Sequence, residues 1–265
     1  MEYFAMADWS IDNPHAGVAR IRITRGARRN SFTSRLLHEL AEKIEVLSGS
    51  PDIKVLILCG EETCFSSGHD LHDLGMVEGH DTRDFGLVVI EDYLPLISVL
   101  NKFNGATICA ARGMVVGSAV GVMLACDIVL LGDTCQISLP FSRLHLIPDG
   151  GLTYFLTRAI GRVRALGMAL TGQPLSAHEA AEAGMAWKVR DDNEVDGFAI
   201  TLAEKLSLVD NQALAATRKL IDGSYNGDLE AAILKEAVGQ KIRQQSTATC
   251  QAIDAFVNKP KKKHS

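Results

Sequence analysis

Short apolar runs alternate with amphipathic stretches along most of the chain. Val18 to Ile23 alternates apolar and polar residues at period two, which predicts a strand. Leu36, Leu37, Leu40, Ile44 and Leu47 recur at helical spacing behind Thr33-Ser34, a plausible cap. Gly49-Ser50-Pro51 ends that helix. Val55 to Cys59, within a strand expected over Ile53 to Cys59, and Thr107 to Ala111 are short apolar runs that read as buried strands. A helix from about Phe85 to Phe103 separates them. The order strand, turn, helix, strand recurs through Leu131, so this part of the chain reads as stacked ββα turns and the fold class as α/β. A polar segment from Glu61 to Arg83, rich in Gly, His and Asp, is expected to be a mobile wall of any pocket. After Gly151 helices dominate: Val163 to Leu170, Ala177 to Ala183, Val195 to Leu206, Gln212 to Asp222 and Leu229 to Gln245. The predicted division is a core over residues 1–200 and a helical region over 201–265 with a basic tail.

Two turns carry the chemistry. Phe65-Ser66-Ser67-Gly68-His69-Asp70-Leu71 and Gly113-Met114-Val115-Val116-Gly117-Ser118-Ala119 each follow a buried strand with a small, glycine-bearing loop. Such loops leave backbone N–H groups unpaired, and two that converge form an oxyanion hole for a carbonyl oxygen gaining negative charge. Ala119 to Ala125 reads as a helix that opens right after the second turn, with the positive end of its dipole toward that oxygen. Taken singly, each turn is equally a plain strand-to-helix connection.

These two stretches, their spacing and the following Ala125-Cys126-Asp127-Ile128 resemble the enoyl-CoA hydratase/isomerase (crotonase) superfamily. Ala27-Arg28-Arg29-Asn30-Ser31-Phe32 is similar to its first βα turn. Thr171-Gly172-Gln173-Pro174-Leu175-Ser176-Ala177 with Ala183-Gly184-Met185 is similar to its late signature. The resemblance covers Val18 to Val257. It implies a crotonase-like spiral of ββα turns followed by a C-terminal helical trimerisation region. It also implies an acyl-CoA thioester as substrate, with coenzyme A part of that substrate and no separate cofactor. By the resemblance the two donors are the N–H groups of His69 and Ser118, which follow Gly68 and Gly117. Ser66, Ser67 and Leu71 would line the path of the coenzyme A moiety, and Arg28 and Arg29 suit its phosphates because arginine grips phosphate bidentately.

The family's hydratases use two glutamates, and the matching positions here hold Gly121 and Phe141, neither of which moves a proton. Ile147-Pro148-Asp149-Gly150-Gly151 supplies a carboxylate instead. Asp149 lies where single-acid isomerases of the superfamily carry theirs, with local similarity to the phenylacetate-pathway and 3,2-enoyl-CoA isomerases. One carboxylate suits a double-bond shift through an enolate, given an apolar surround that raises its pKa. Phe141, Leu144, Leu146 and Ile147 are candidates for that surround. The competing reading of Asp149 is a turn residue that caps the following helix. His69 is first a backbone donor; its imidazole stands next to Asp70, with His72 beyond, which allows a local Asp–His pair.

Composition narrows the setting. The chain has 265 residues, 47% of them hydrophobic, and a net charge of −5, which gives no reason to expect nucleic acid. Mean hydropathy is +0.09 and the apolar runs fall short of a membrane span. Six cysteines, mostly in apolar runs, predict free thiols in a reducing, cytoplasmic setting. No His, Cys, Asp and Glu set has metal-ligand spacing, so no metal is expected. The tail from Asn258 to Ser265 reads as solvated, or as a neighbour's lysines reaching a coenzyme A phosphate. The resemblance implies a homotrimer or dimer of trimers, though the late apolar stripes also suit an intramolecular core. The leading expectation is an enoyl-CoA isomerase of fatty acid metabolism. Its rivals are a hydratase with replaced glutamates that draws on Asp70 or Asp73, an Asp-nucleophile hydrolase or dehalogenase, and a non-catalytic thioester-binding protein.

Overall fold

The computed structural model describes residues 8–61, 64–76 and 82–258. They form two compact units, one up to Leu208 and one from Val209. In the first, β1 (Trp9–His15) pairs antiparallel with β2 (Val18–Ile23). The turn after β2 leads to α1 (Ser34–Gly49), where the Thr33 hydroxyl accepts the Leu36 N–H and Leu36, Leu37, Leu40, Ile44 and Leu47 are buried, as the periodicity predicts. Next come β3 (Val55–Gly60) and β4 (Cys64–Ser66). A short α2 (Phe85–Leu87) runs through a π-helical turn, Val88–Tyr93, into α3 (Leu94–Asn101). The cycle repeats with β5 (Ala106–Ala111), β6 (Met114–Val116) and α4 (Ser118–Leu124), then β7 (Ile128–Gly132), β8 (Gln136–Ser138) and α5 (Leu152–Thr171). The last elements of this unit are β9 (Leu175–Ser176), α6 (Ala177–Ala183), β10 (Lys188–Arg190) and α7 (Val195–Ser207).

From β3 to α5, each of three turns of the chain thus supplies one long strand, one short strand and a helical segment. The long strands form a sheet in the order β1-β2-β3-β5-β7-β10, parallel from β2 onward. Every residue of β3 and β5 is buried, which is why their sequences run apolar without alternation. The short strands form a second sheet, β4-β6-β8-β9, in which β4, β6 and β8 are parallel. The C-terminal ends of those three strands therefore lie side by side, and the turns that follow them meet in space.

The helix expected to follow Asp149 and the one expected over Val163 to Leu170 are the halves of α5, which kinks at Gly161 (φ 74°). The second unit holds α8 (Asn211–Ser224), α9 (Leu229–Arg243) and α10 (Thr247–Val257). The strand β1 and the helix α10 have no counterpart in the sequence reading. Parts of the expected mobile wall (residues 62, 63 and 77–81) and most of the basic tail (259–265) lie outside the described residues. No helix among the described residues is long and apolar enough to cross a membrane.

Gly60 closes β3 where β4 folds back across it. A Cβ there would sit 2.3 Å from the Cys64 carbonyl oxygen and 2.8 Å from the Phe65 Cα. Both obstacles are backbone and cannot rotate away. Gly60→Ala should therefore cost about 1–3 kcal/mol, read as a lowered denaturant midpoint with an unchanged m-value.

Candidate active site

The first turn is held by its own neighbours. Ser66 is fully buried and its hydroxyl accepts the Gly68 N–H (3.2 Å). Phe32 donates its N–H to the Gly68 carbonyl and accepts the Asp70 N–H, at 2.8 and 2.7 Å. This parallel bridge uses the groups on either side of His69 and leaves the His69 N–H facing away from Phe32. Gly68 has φ +91°, and a Cβ on it would lie 2.8 Å from the Val116 carbonyl oxygen. The left-handed backbone and the close approach both require glycine.

The second turn meets the first at that contact. Gly117 (φ 60°, ψ −132°) donates its N–H to the Ser138 carbonyl (3.0 Å) and hands the chain to α4. Ser118 is the first residue of α4, so its N–H has no acceptor within the helix. The serine in place of a further glycine is accommodated because Ser118, unlike Gly117, does not carry a positive φ. Phe141, on the turn after β8, is buried and packs beside Gly117; a Cβ there would be 3.8 Å from the Phe141 ring.

The third turn, Pro148-Asp149-Gly150-Gly151, lies directly on the first turn of α4. A Cβ on Gly150 would be 3.2 Å from the Ser118 Cβ. A Cβ on Gly121 would be 1.9 Å from the Gly150 carbonyl oxygen. The backbone of the Asp149 turn thus fills the space that any side chain at position 121 would need. A side chain at 121 and the present path of the Asp149 turn therefore exclude each other.

Asp149 does not cap α5. The N-cap is Gly151, without a side-chain hydrogen bond, and only the Asp149 backbone carbonyl engages the helix, accepting the Leu152 N–H (3.0 Å). Its Oδ1 is enclosed and has no hydrogen-bond partner. Burial raises the Asp149 pKa from 3.8 to about 6. Of the four residues expected to surround it, Phe141 and Leu146 join the core, whereas Leu144 (48% exposed) and Ile147 (82% exposed) face outward.

The remaining candidates fall around this centre. Ser67 donates its N–H to the Arg29 carbonyl (3.0 Å), which ties the 25–30 turn to the Gly68 turn. Arg28 is exposed on that turn, and Leu71 is exposed beyond His69. Asp70 is committed elsewhere: its Oδ2 accepts from Arg25 and from the Ser31 hydroxyl. The His69 imidazole pairs with Asp73 (Nε2 to Oδ2, 3.0 Å) rather than with Asp70, and its Nδ1 meets the Tyr93 hydroxyl at 3.0 Å. Burial lowers the His69 pKa, against the opposing effect of Asp73, so the imidazole is neutral near pH 7. Tyr93 goes unnoticed in sequence because it reads as one more aromatic on the helical stripe. Its only signal is a polar tip beside Asp92 on an otherwise apolar face.

A match to the Enoyl-CoA hydratase/isomerase family spans residues 13–265. The chain belongs to that family. A 1,2-epoxyphenylacetyl-CoA isomerase of Escherichia coli is 32% identical over 254 residues, 96% of this chain and 97% of the relative. A probable enoyl-CoA hydratase of Rhodobacter capsulatus is 29% identical, covering 92% of each. The crystal structure of an enoyl-CoA hydratase from Bacillus anthracis superposes with a TM-score of 0.88 at 25% identity, over 94% of this chain and 96% of that one. Members of the enoyl-CoA hydratase/isomerase family this similar to the chain thus bear names of different reactions, and the site geometry has to discriminate among them.

Two predictions follow from the Asp149 turn. Gly121→Ala should lower stability by about 1–3 kcal/mol by forcing the Gly150 carbonyl away, seen as a drop in thermal midpoint. The second concerns pH. The folded-state pKa of Asp149 lies above the ordinary value, so the unfolded chain gives up this proton more readily. The folded state therefore loses stability as pH rises from about 4 to about 6. Asp149→Asn should melt higher than wild type at pH 7.5, with the gain vanishing as pH falls to 4.

Proposed function

We propose that the chain is an acyl-CoA isomerase that moves a double bond along an enoyl-CoA thioester. The observation that carries this reading is Asp149 Oδ1, an enclosed carboxylate oxygen with no partner, on a turn packed against the one that bears the Ser118 N–H. Coenzyme A enters as part of the substrate, and Arg28 and Arg29 are assigned to its phosphates. The thioester oxygen sits between the N–H groups of His69 and Ser118. Asp149 takes a proton from C2, and the C–H electron pair moves into an enolate whose oxygen charge the two donors offset. The same carboxyl returns the proton to C4 as the electrons close a C2–C3 double bond. No water is added and nothing is oxidised.

A pKa near 6 suits this role, because a proton shuttle must both accept and release at working pH. Hydration would need a second proton-transfer group to activate water. Gly121 and Phe141 supply none, and Asp70 and Asp73 are spent on Arg25, Ser31, Ser34 and His69. The relative named as a 1,2-epoxyphenylacetyl-CoA isomerase supports the same class of chemistry. In this reading the apolar residues exposed on the last helices, among them Leu229, Ile233, Leu234 and Phe256, are covered by other copies in a trimer or dimer of trimers.

The test follows conversion of a 3-enoyl-CoA to the conjugated 2-enoyl-CoA by ultraviolet absorbance, with a parallel arm following loss of a 2-enoyl-CoA in water. Wild type should convert the first without consuming the second, with kcat falling as pH drops through about 6. Asp149→Ala should lower kcat by about 10²–10⁴ while binding of the thioester stays within a few-fold. Undiminished turnover in Asp149→Ala, or steady hydration by wild type, would overturn the assignment.

A further inference from the structure

The side chains of the two proposed N–H donors converge on one buried group. Tyr93 is 1% exposed, and its hydroxyl meets His69 Nδ1 at 3.0 Å and Ser118 Oγ at 2.7 Å. We infer that Tyr93 is a positioning residue whose hydroxyl braces the Gly68 turn against the Gly117 turn and so sets the separation of the two N–H donors. This rests on the proposed thioester site but not on which reaction the site performs.

The protons in this chain have one consistent arrangement. Asp73 accepts from the Ser34 N–H (3.0 Å) and Arg83 (3.3 Å), and the Ser34 hydroxyl lies between Asp73 (2.9 Å) and Asp92 (2.5 Å). Its carboxyl stays below the ordinary value: burial works to raise it, and the hydrogen bonds from Ser34 and His69 outweigh that. An ionised carboxylate only accepts, so His69 Nε2 carries the imidazole proton and Nδ1 is an acceptor. Tyr93 then donates to Nδ1, and with its single proton spent it accepts from Ser118. Ser118 to Tyr93 to His69 to Asp73 is therefore a one-way chain with every donor used. Two of its members are the residues whose backbone N–H groups form the proposed hole.

The helix is built to deliver this hydroxyl. Pro95 has no N–H to give to the Glu91 carbonyl, which meets His38 Nε2 instead (3.0 Å). The preceding turn widens to π geometry, with the Leu94 N–H reaching back five residues to the Val89 carbonyl. Tyr93 leaves this widened turn inward, edge-on to Phe32 at 6.4 Å, with Asp92 buried beside it. A phenylalanine would fill the same volume without a buried hydroxyl to satisfy, so packing alone does not account for tyrosine.

The brace is tested by isotope-edited infrared spectroscopy of butyryl-CoA labelled with ¹³C at the thioester carbonyl. This saturated probe cannot be isomerised. In wild type the bound carbonyl stretch should fall to lower frequency than in water. In Tyr93→Phe that shift should shrink, with the Kd for butyryl-CoA within about threefold. Isomerase kcat should drop about 10- to 100-fold at nearly constant KM, less than the loss of a whole oxyanion donor. Ser118→Ala keeps the N–H but removes the other end of the strut, so it should reproduce the change, and the double variant should add little to either. An unchanged shift in a Tyr93→Phe protein with a wild-type melting curve would overturn the brace, as would full additivity of the two substitutions. If wild type shifts the carbonyl but does not isomerise, the function falls and the brace stands. If it isomerises and Tyr93→Phe leaves the shift intact, the reverse holds. A wild-type carbonyl that binds unshifted overturns both.

Discussion

Parallel pairing of β4 with β6 and of β6 with β8 is the constraint from which the site descends. Each short strand is only three residues long and would not persist alone. Each is fixed because it follows a long strand buried in the main sheet and because its neighbours share its direction. Three successive ββα turns thereby end at one level, and their loops, separated by dozens of residues in sequence, come within van der Waals contact. Glycine appears where those loops touch: Gly68 against the Val116 carbonyl, and Gly121 against the Gly150 carbonyl.

That packing has a chemical consequence. A backbone carbonyl occupies the volume beside residue 121, so the position has no room for an acidic side chain, and the acid of the site is carried by the turn that excluded it. The same burial that brings Asp149 to α4 strips water from its carboxyl, lifts its pKa and leaves one oxygen unpartnered. Those are costs to the folded state, of the kind expected at a functional site, and in the proposed reaction they fit Asp149 for proton transfer.

The polar residues around the first turn divide by their partners. Asp70 anchors Arg25 and Ser31, which ties the 25–30 turn in place. Asp73 serves His69, Ser34 and Arg83. The backbone and side chain of His69 thus face different tasks, one toward the centre of the site and one toward Tyr93 in the interior. A neutral imidazole held at both nitrogens has a structural part to play, and the proposed reaction leaves proton transfer to Asp149.

The sequence by itself determined the repeating ββα pattern, because buried parallel strands must be apolar throughout and amphipathic helices must repeat near 3.6 residues. It also determined the two glycine turns, since left-handed backbone at Gly68 and Gly117 leaves few other choices. The importance of Asp149 was legible there, but its meaning was divided between helix cap and proton carrier. Only the tertiary structure removed the cap reading, by showing Gly151 at the cap and the Asp149 Oδ1 without a partner. It likewise turned Gly121 from a missing residue into a packing requirement, paired His69 with Asp73 instead of Asp70, and brought Tyr93 between the turns. Local sequence encodes backbone conformation and periodicity, which depend on nearby residues. Contacts between residues 69, 93, 118 and 149 depend on how separate strands register, and no local pattern records that.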